Sequence, residues 1–171
     1  NSGHIQFDAG TDHLSFKEDL LLNNLNNLNH YDYQGSHWAP HIINREIWEK
    51  IGGFSEEFNP GIGSDPDLNM KLWMEGVRIF KGIGLFKVYH FGSISLRKKN
   101  NLIKNKGSKT FLKKWKITPN FFIKYYLNGG KFVEGKIISK KYDGPLNKPQ
   151  KNIRFYFDLI KCKLKLIACY F

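Results

Sequence analysis

Gly52-Gly53-Phe54-Ser55-Glu56-Glu57-Phe58, followed closely by Gly61-Ile62-Gly63-Ser64-Asp65-Pro66-Asp67-Leu68, is the stretch on which the reading of this chain turns. The glycines and the proline between Gly53 and Gly63 predict a loop. Upstream, Asn44 is placed to cap a helix over about 45–51, with Glu46 in its first turn. Ile43 and Trp48 occupy the staple positions around that cap, and Gly52 ends the helix. Downstream, a second helix is expected over about 66–75, with Asp65 as its cap, Pro66 at the first helical position and Gly76 just past the end. Leu68, Leu72 and Trp73 share its core face. Asp65 and Asp67 thus stand at a helix N-terminus behind a glycine-rich approach. The field of the helix end keeps a carboxylate there ionised and fixes its direction, which suits a general base accepting a proton from a hydroxyl. Ordinary capping accounts for an Asp before Pro equally well, so spacing alone leaves both readings open.

Beyond this helix, Val77 to Phe80 and Phe86 to Tyr89 are short apolar runs joined by a glycine-containing turn, and both read as strands. Helix, loop, helix, strand, strand is an α/β or α+β pattern. Residues 1–36 are polar and Asn-rich, with Leu20, Leu21, Leu22, Leu25 and Leu28 as their apolar cluster. The Asn-rich run 23–29 reads as a loop or a frayed helix. After residue 96 lysines alternate with aromatics, opening on Arg97-Lys98-Lys99 and continuing through Phe111, Trp115, Phe121, Phe122, Tyr125 and Tyr126. Helices are expected over about 108–116 and 119–128, the latter ending at Gly129-Gly130. Residues 139–152 read as a linker. From 153 onward Lys161, Lys163 and Lys165 alternate with Cys162, Leu164 and Leu166, a period of two that does not specify an amphipathic helix.

The chain has 171 residues, 41% of them hydrophobic and 15% aromatic, which suits one domain with a packed core and excludes a disordered polymer. No run reaches the roughly 18–20 apolar residues that cross a bilayer, and no secretory signal opens the chain. It begins at Asn1 rather than Met, and a fragment is expected. Cys162 and Cys169 lack metal-type spacing and read as free thiols of a cytosolic protein. The net charge of +12 is unevenly placed. Residues 1–100 hold 10 Lys and Arg against 12 Asp and Glu, whereas residues 101–171 hold 17 against 3, a balance of +14. That asymmetry points to an anionic partner for the tail.

Residues 40–96 resemble the C-terminal half of the GT-A domain of family 2 glycosyltransferases. The resemblance lies in the order of Asn44-Arg45-Glu46, Gly52-Gly53-Phe54-Ser55-Glu56, Ser64-Asp65-Pro66-Asp67-Leu68, Glu75-Gly76-Val77-Arg78 and Tyr89-His90-Phe91-Gly92-Ser93. It covers about a third of the chain well and extends loosely over Gly107 to Leu127. It implies an α/β fold in which residues 1–100 are the acceptor-side part of a GT-A domain lacking its donor-binding half. Residues 101–171 would be a basic, aromatic-rich and partly helical extension. Asp65 matches the family's catalytic base, which deprotonates an acceptor hydroxyl that attacks the anomeric carbon of a nucleotide sugar with inversion. Asp67 matches the second acidic position, which organises the helix start and the acceptor pocket. Ser64 stands where the family has a Glu that helps bind the acceptor, and Ser55 where it has Asp, so the resemblance retains the base and leaves the acceptor open. His37, Trp38 and His41 lie where acceptor contacts are expected, with core packing as the alternative. His90 resembles the histidine that completes a Mn or Mg site beneath the diphosphate, with a structural role as the alternative.

The family's Asp-x-Asp and its donor-binding βα units, about 90–120 residues, are not in this chain. The chain alone is therefore expected to be inactive. The implied partners are a nucleotide-sugar donor, a glycan or lipid-linked acceptor, and an anionic membrane met peripherally by the basic tail on the cytoplasmic face. The rival reading is a nucleic-acid-binding module whose lysines neutralise phosphates and whose aromatics stack on bases. No recognisable nucleic-acid motif supports it.

Overall fold

The computed structural model describes residue 5 and residues 7–28, 31–59, 61–91, 105–133 and 136–170. Gly92, Ser93 and the basic run Arg97-Lys98-Lys99 lie outside the described residues. The chain is a mixed fold, predominantly helical with short antiparallel strand pairs. Helix α1 (Glu18–Asn24) passes into a 3-10 turn over Leu25–Leu28, so the Asn-rich run is partly helical. Helix α2 (Arg45–Ile51) has the expected bounds: the Asn44 side chain accepts from the backbone N–H of Glu46 and Ile47, and Gly52 takes the left-handed conformation at φ 70°.

Helix α3 (Ser64–Met74) starts earlier than its proline suggests. Gly63, at φ 90°, serves as the N-cap without a side-chain bond, which puts Asp65 inside the first turn rather than at the cap. The backbone reason is the left-handed turn, which glycine adopts without steric penalty. Gly76, at φ 94°, follows the helix as expected. Leu68, Leu72 and Trp73 are buried as expected, and Asp67, Asn69 and Met70 are buried with them.

The two expected strands are replaced by a shorter ladder. Strand β1 (Tyr33–Gln34) pairs antiparallel with β2 (Lys81–Gly82), with Tyr33 opposite Gly82. The Val77–Phe80 run is taken up otherwise: the Val77 N–H closes the end of α3 on Leu72 O, and Arg78 O accepts from Leu146 N–H. Phe80 O accepts from Gly35 and Ser36. Phe86–Tyr89 is not a strand; Phe86 and Val88 are exposed, and the Tyr89 hydroxyl accepts from Ala9 N–H at 2.9 Å. Residues 139–152 are a packed strap rather than a free linker. Gln34 N–H donates to Lys140 O, Tyr142 N–H donates to Asp32 O, and Leu146 is buried.

The remainder is α4 (Asn105–Trp115), α5 (Pro119–Phe122) continuing as a π-helical turn over Ile123–Leu127, a hairpin of β3 (Lys131–Val133) with β4 (Lys136–Ile138), and α6 (Ile153–Ile167). Helix α6 overrides its local period of two. Asn152 caps it on Phe155 N–H, and Phe155, Leu159, Cys162 and Leu166 fall on one side at helical spacing, Phe155 and Cys162 fully buried. Cys162 and Cys169 are free thiols, as expected.

One core runs across residue 100. Phe58, Leu68, Leu72, Trp73 and Phe80 pack in the same cluster as Phe111, Phe121, Phe122, Leu127 and Phe155. The aromatic rings that a nucleic-acid reading needs for base stacking are thus largely inside: Phe111, Phe121 and Phe122 are buried, and Tyr126 packs edge-on against Trp73 at 5.3 Å.

The tightest backbone approach joins α4 to the loop before α3. A Cβ on Gly107 would lie 1.9 Å from the carbonyl oxygen of Ile62, and one on Gly63 would lie 3.0 Å from the carbonyl oxygen of Gly107. Alanine is the better helix former by about 1 kcal/mol, but overpacking of this kind costs about 1–3 kcal/mol. Gly107→Ala is therefore expected to lower the urea midpoint of unfolding despite its helical position; a raised midpoint would show that α4 does not press on this loop.

Candidate functional site

The glycine-rich segment is held from both sides. Gly53, at φ 56°, lies against the Trp48 ring, 2.7 Å from where its Cβ would be, and its carbonyl accepts from Lys71 Nζ at 2.9 Å. Phe54 stays half-exposed, its ring edge-on to Trp48 at 5.5 Å. Ser55 then turns its hydroxyl inward and donates to Asp67 Oδ2 at 2.7 Å. A 3-10 turn, Glu56–Phe58, brings Phe58 into the core.

Asp67 is 0% exposed. Its Oδ1 accepts from Trp115 Nε1 at 2.7 Å and faces Lys114 Nζ at 2.9 Å. Lys114 also reaches Glu57 at 2.7 Å and the Ser55 hydroxyl at 3.0 Å. Burial pulls the Lys114 ammonium down, but its bonds to Glu57 and Asp67 outweigh that and hold it above the ordinary lysine value. A buried carboxylate needs this much company, because an uncompensated one costs several kcal/mol. Asp67 is therefore closed to solvent: it fastens the Gly-Gly-Phe loop and α4 to α3. The serine at position 55 suits it, since a carboxylate there would set two like charges together while a hydroxyl donates.

Asp65 has the opposite environment. It is partly exposed in the first turn of α3, where burial pushes its carboxyl above the ordinary value and the charge of His41 draws it partly back. Desolvation outweighs the attraction of His41, so its affinity for a proton is raised. Burial pushes His41 below the ordinary histidine value, and Asp65 partly offsets this. Asn69 joins the group from one turn further along α3. Its Nδ2 donates to Asp65 O at 2.7 Å and His37 O at 3.1 Å, and lies 3.4 Å from His41 Nε2.

The other expected contacts divide. Ser64 bonds back to Gly61 O at 2.6 Å and shapes the turn, remaining partly exposed. Trp38 is partly exposed, its ring 4.4 Å from that of His37. His37 is only 5% exposed and its Nδ1 donates to Gly35 O at 2.7 Å, so it supports the segment instead of facing an acceptor. His90 is exposed. Among the described residues no three His, Cys, Asp or Glu side chains converge as an ion's ligands would, so these residues alone do not make the Mn or Mg site that the resemblance implies.

Asn69 was legible in principle, since it lies four residues after Asp65 and so shares its helix face. No spacing rule connects Lys114 or Trp115 to Asp67, which they meet through the fold. Comparison of the chain with models of known protein families, with curated proteins and with solved structures returns no match.

Two measurements check this arrangement. Asp67→Ala removes the partner of Trp115, Ser55 and Lys114 and is expected to cost roughly 3 kcal/mol in denaturant unfolding; a loss within about 0.5 kcal/mol, as at an ordinary surface site, would contradict the buried network. In a proton NMR titration, His41 should show a midpoint below 6.5. Asp65→Asn should lower it further, because the negative charge that supports the imidazolium is gone. An unchanged or raised midpoint in the variant would separate the two residues.

Proposed function

We propose that this chain is the acceptor-side, catalytic-base half of a nucleotide-sugar glycosyltransferase of the GT-A type. The observation that carries the proposal is the contrast between the paired aspartates of one helical turn. Asp67 is buried and fully engaged, while Asp65 is partly exposed beside His41 with its proton affinity raised. That division suits the ordered motifs from Asn44 to His90, in which one acid positions and the other reacts.

In this reading Asp65 accepts the proton of an acceptor hydroxyl as that oxygen attacks the anomeric carbon of the donor sugar. The bond from that carbon to the nucleoside diphosphate breaks, and the diphosphate leaves with the electron pair. A single base with no protein nucleophile gives inversion. A raised proton affinity makes the carboxylate a stronger proton acceptor. Asn69 steadies the backbone carbonyl of Asp65 and the neutral His41 ring beside it. Partly exposed Trp38 offers an aromatic face of the kind that packs on sugars. A divalent ion bound with the donor would supply charge for the leaving diphosphate; His90 is this chain's candidate ligand for it.

The test is sugar transfer by the protein with its donor-binding residues present. Asp65→Asn is expected to lower turnover about a hundredfold or more while nucleotide-sugar binding stays intact. Near-normal turnover in the variant would remove Asp65 from the base role.

A further inference from the structure

Helix α6 has two apolar sides. Phe155, Leu159 and Cys162 face the core, with Phe155 5.1 Å from the Phe121 ring. Ile153, Phe157, Ile160, Leu164 and Ile167 recur at steps of four and three and form a second stripe on the opposite side. These five residues are 55–90% exposed, so the described chain leaves a continuous aliphatic and aromatic strip in water.

Cations border that strip. Arg154, Lys161 and Lys165 project along one flank and Lys163 along the other, all exposed. Lys161 Nζ lies 4.3 Å from the centre of the Phe157 ring, its stem along the apolar surface. The acid of this helix, Asp158, is engaged by Lys124 and by the Tyr125 hydroxyl at 2.7 Å, bonds that lower its pKa to about 2, and Lys161 Nζ stands 3.6 Å from its other oxygen. The outer side is therefore apolar along its middle and positive along its edges, in the segment 101–171 that carries 17 Lys and Arg against 3 Asp and Glu.

We propose that helix α6 is an interfacial anchor that lays this strip into the surface of an anionic bilayer. Charge and shape select that occupant. A second copy would set lysines against lysines along both edges. A nucleic acid would meet Ile and Leu where it needs stacking faces. An anionic leaflet takes both parts at once, receiving the apolar residues among its acyl chains while lysine stems extend to the headgroups. The helix has 15 residues, which at about 1.5 Å each is too short to span, and no described helix is long and apolar enough to cross a membrane. It would lie in the plane of the interface, with the exposed rings of Tyr156 and Tyr170 at headgroup depth. This inference is independent of the sugar-transfer reading.

Co-sedimentation of the whole chain with vesicles tests it, comparing pure phosphatidylcholine with phosphatidylcholine containing phosphatidylglycerol. Binding is expected to the phosphatidylglycerol vesicles, weakening with salt. The pair Phe157→Ser and Leu164→Ser should lower it about tenfold or more. These residues are exposed, so circular dichroism should stay unchanged. Lys161→Gln with Lys165→Gln, which leaves the strip intact, should lower binding to the anionic vesicles toward that of the neutral ones. Equal binding by wild type and both paired variants would overturn the proposal, as would equal binding to neutral and anionic vesicles. A dimer that Leu164→Ser dissociates would assign the strip to a second copy instead. Salt-sensitive binding of single-stranded RNA that the serine pair abolishes would assign it to nucleic acid.

Discussion

A fully buried carboxylate, Asp67, is the constraint on which the rest of this structure depends. Its oxygens collect a serine hydroxyl from the Gly-Gly-Phe loop, an indole N–H and a lysine ammonium from α4. Each donor comes from a different stretch of chain than the acid itself, so satisfying one charge fixes three segments together. The consequence for the neighbouring acid is geometric. Residues two apart on a helix do not face each other, so turning Asp67 inward turns Asp65 away from α4 and toward His41. The buried member of the pair is thus what presents the partly exposed one.

How much of this could be read from the sequence depended on the range of the signal. Helix α2 was fully legible because its start and stop are local: Asn44 caps, Gly52 terminates, and neither needs the rest of the fold. The start of α3 is not legible locally because Pro66 is a strong marker for a first turn, while Gly63 provides a left-handed cap with no side chain to announce it. The apolar runs at 77–80 and 86–89 have the composition of strands, but in the first the backbone groups close a helix and receive the 139–152 strap. In α6 the alternation around Cys162 obscured a helical pattern that only the whole of 153–167 makes clear.

The candidate site followed the same division. Trp38 and His41 are near neighbours in the chain, and the structure sets His41 beside Asp65, which lies 24 residues further on, with all three partly exposed. The environments of the two aspartates are not separable by local spacing, because both are acids in the first turn of one helix. Their separation rests on Trp115, 48 residues from Asp67 along the chain. The basic tail shows the same limit. Its charge was legible from composition, whereas the assignment of its inner aromatics to the core and of the α6 strip to the surface required the packed helices.

The most direct test of this account is the carboxyl titration of Asp65, followed by carbon NMR on the chain labelled at aspartate. The account predicts a midpoint above the ordinary value of 3.8, because burial outweighs the attraction of His41. It predicts a further rise in His41→Phe, where that attraction is lost. A midpoint at or below the ordinary value, unmoved by the substitution, would contradict the picture of Asp65 as a partly desolvated carboxyl presented by its buried neighbour.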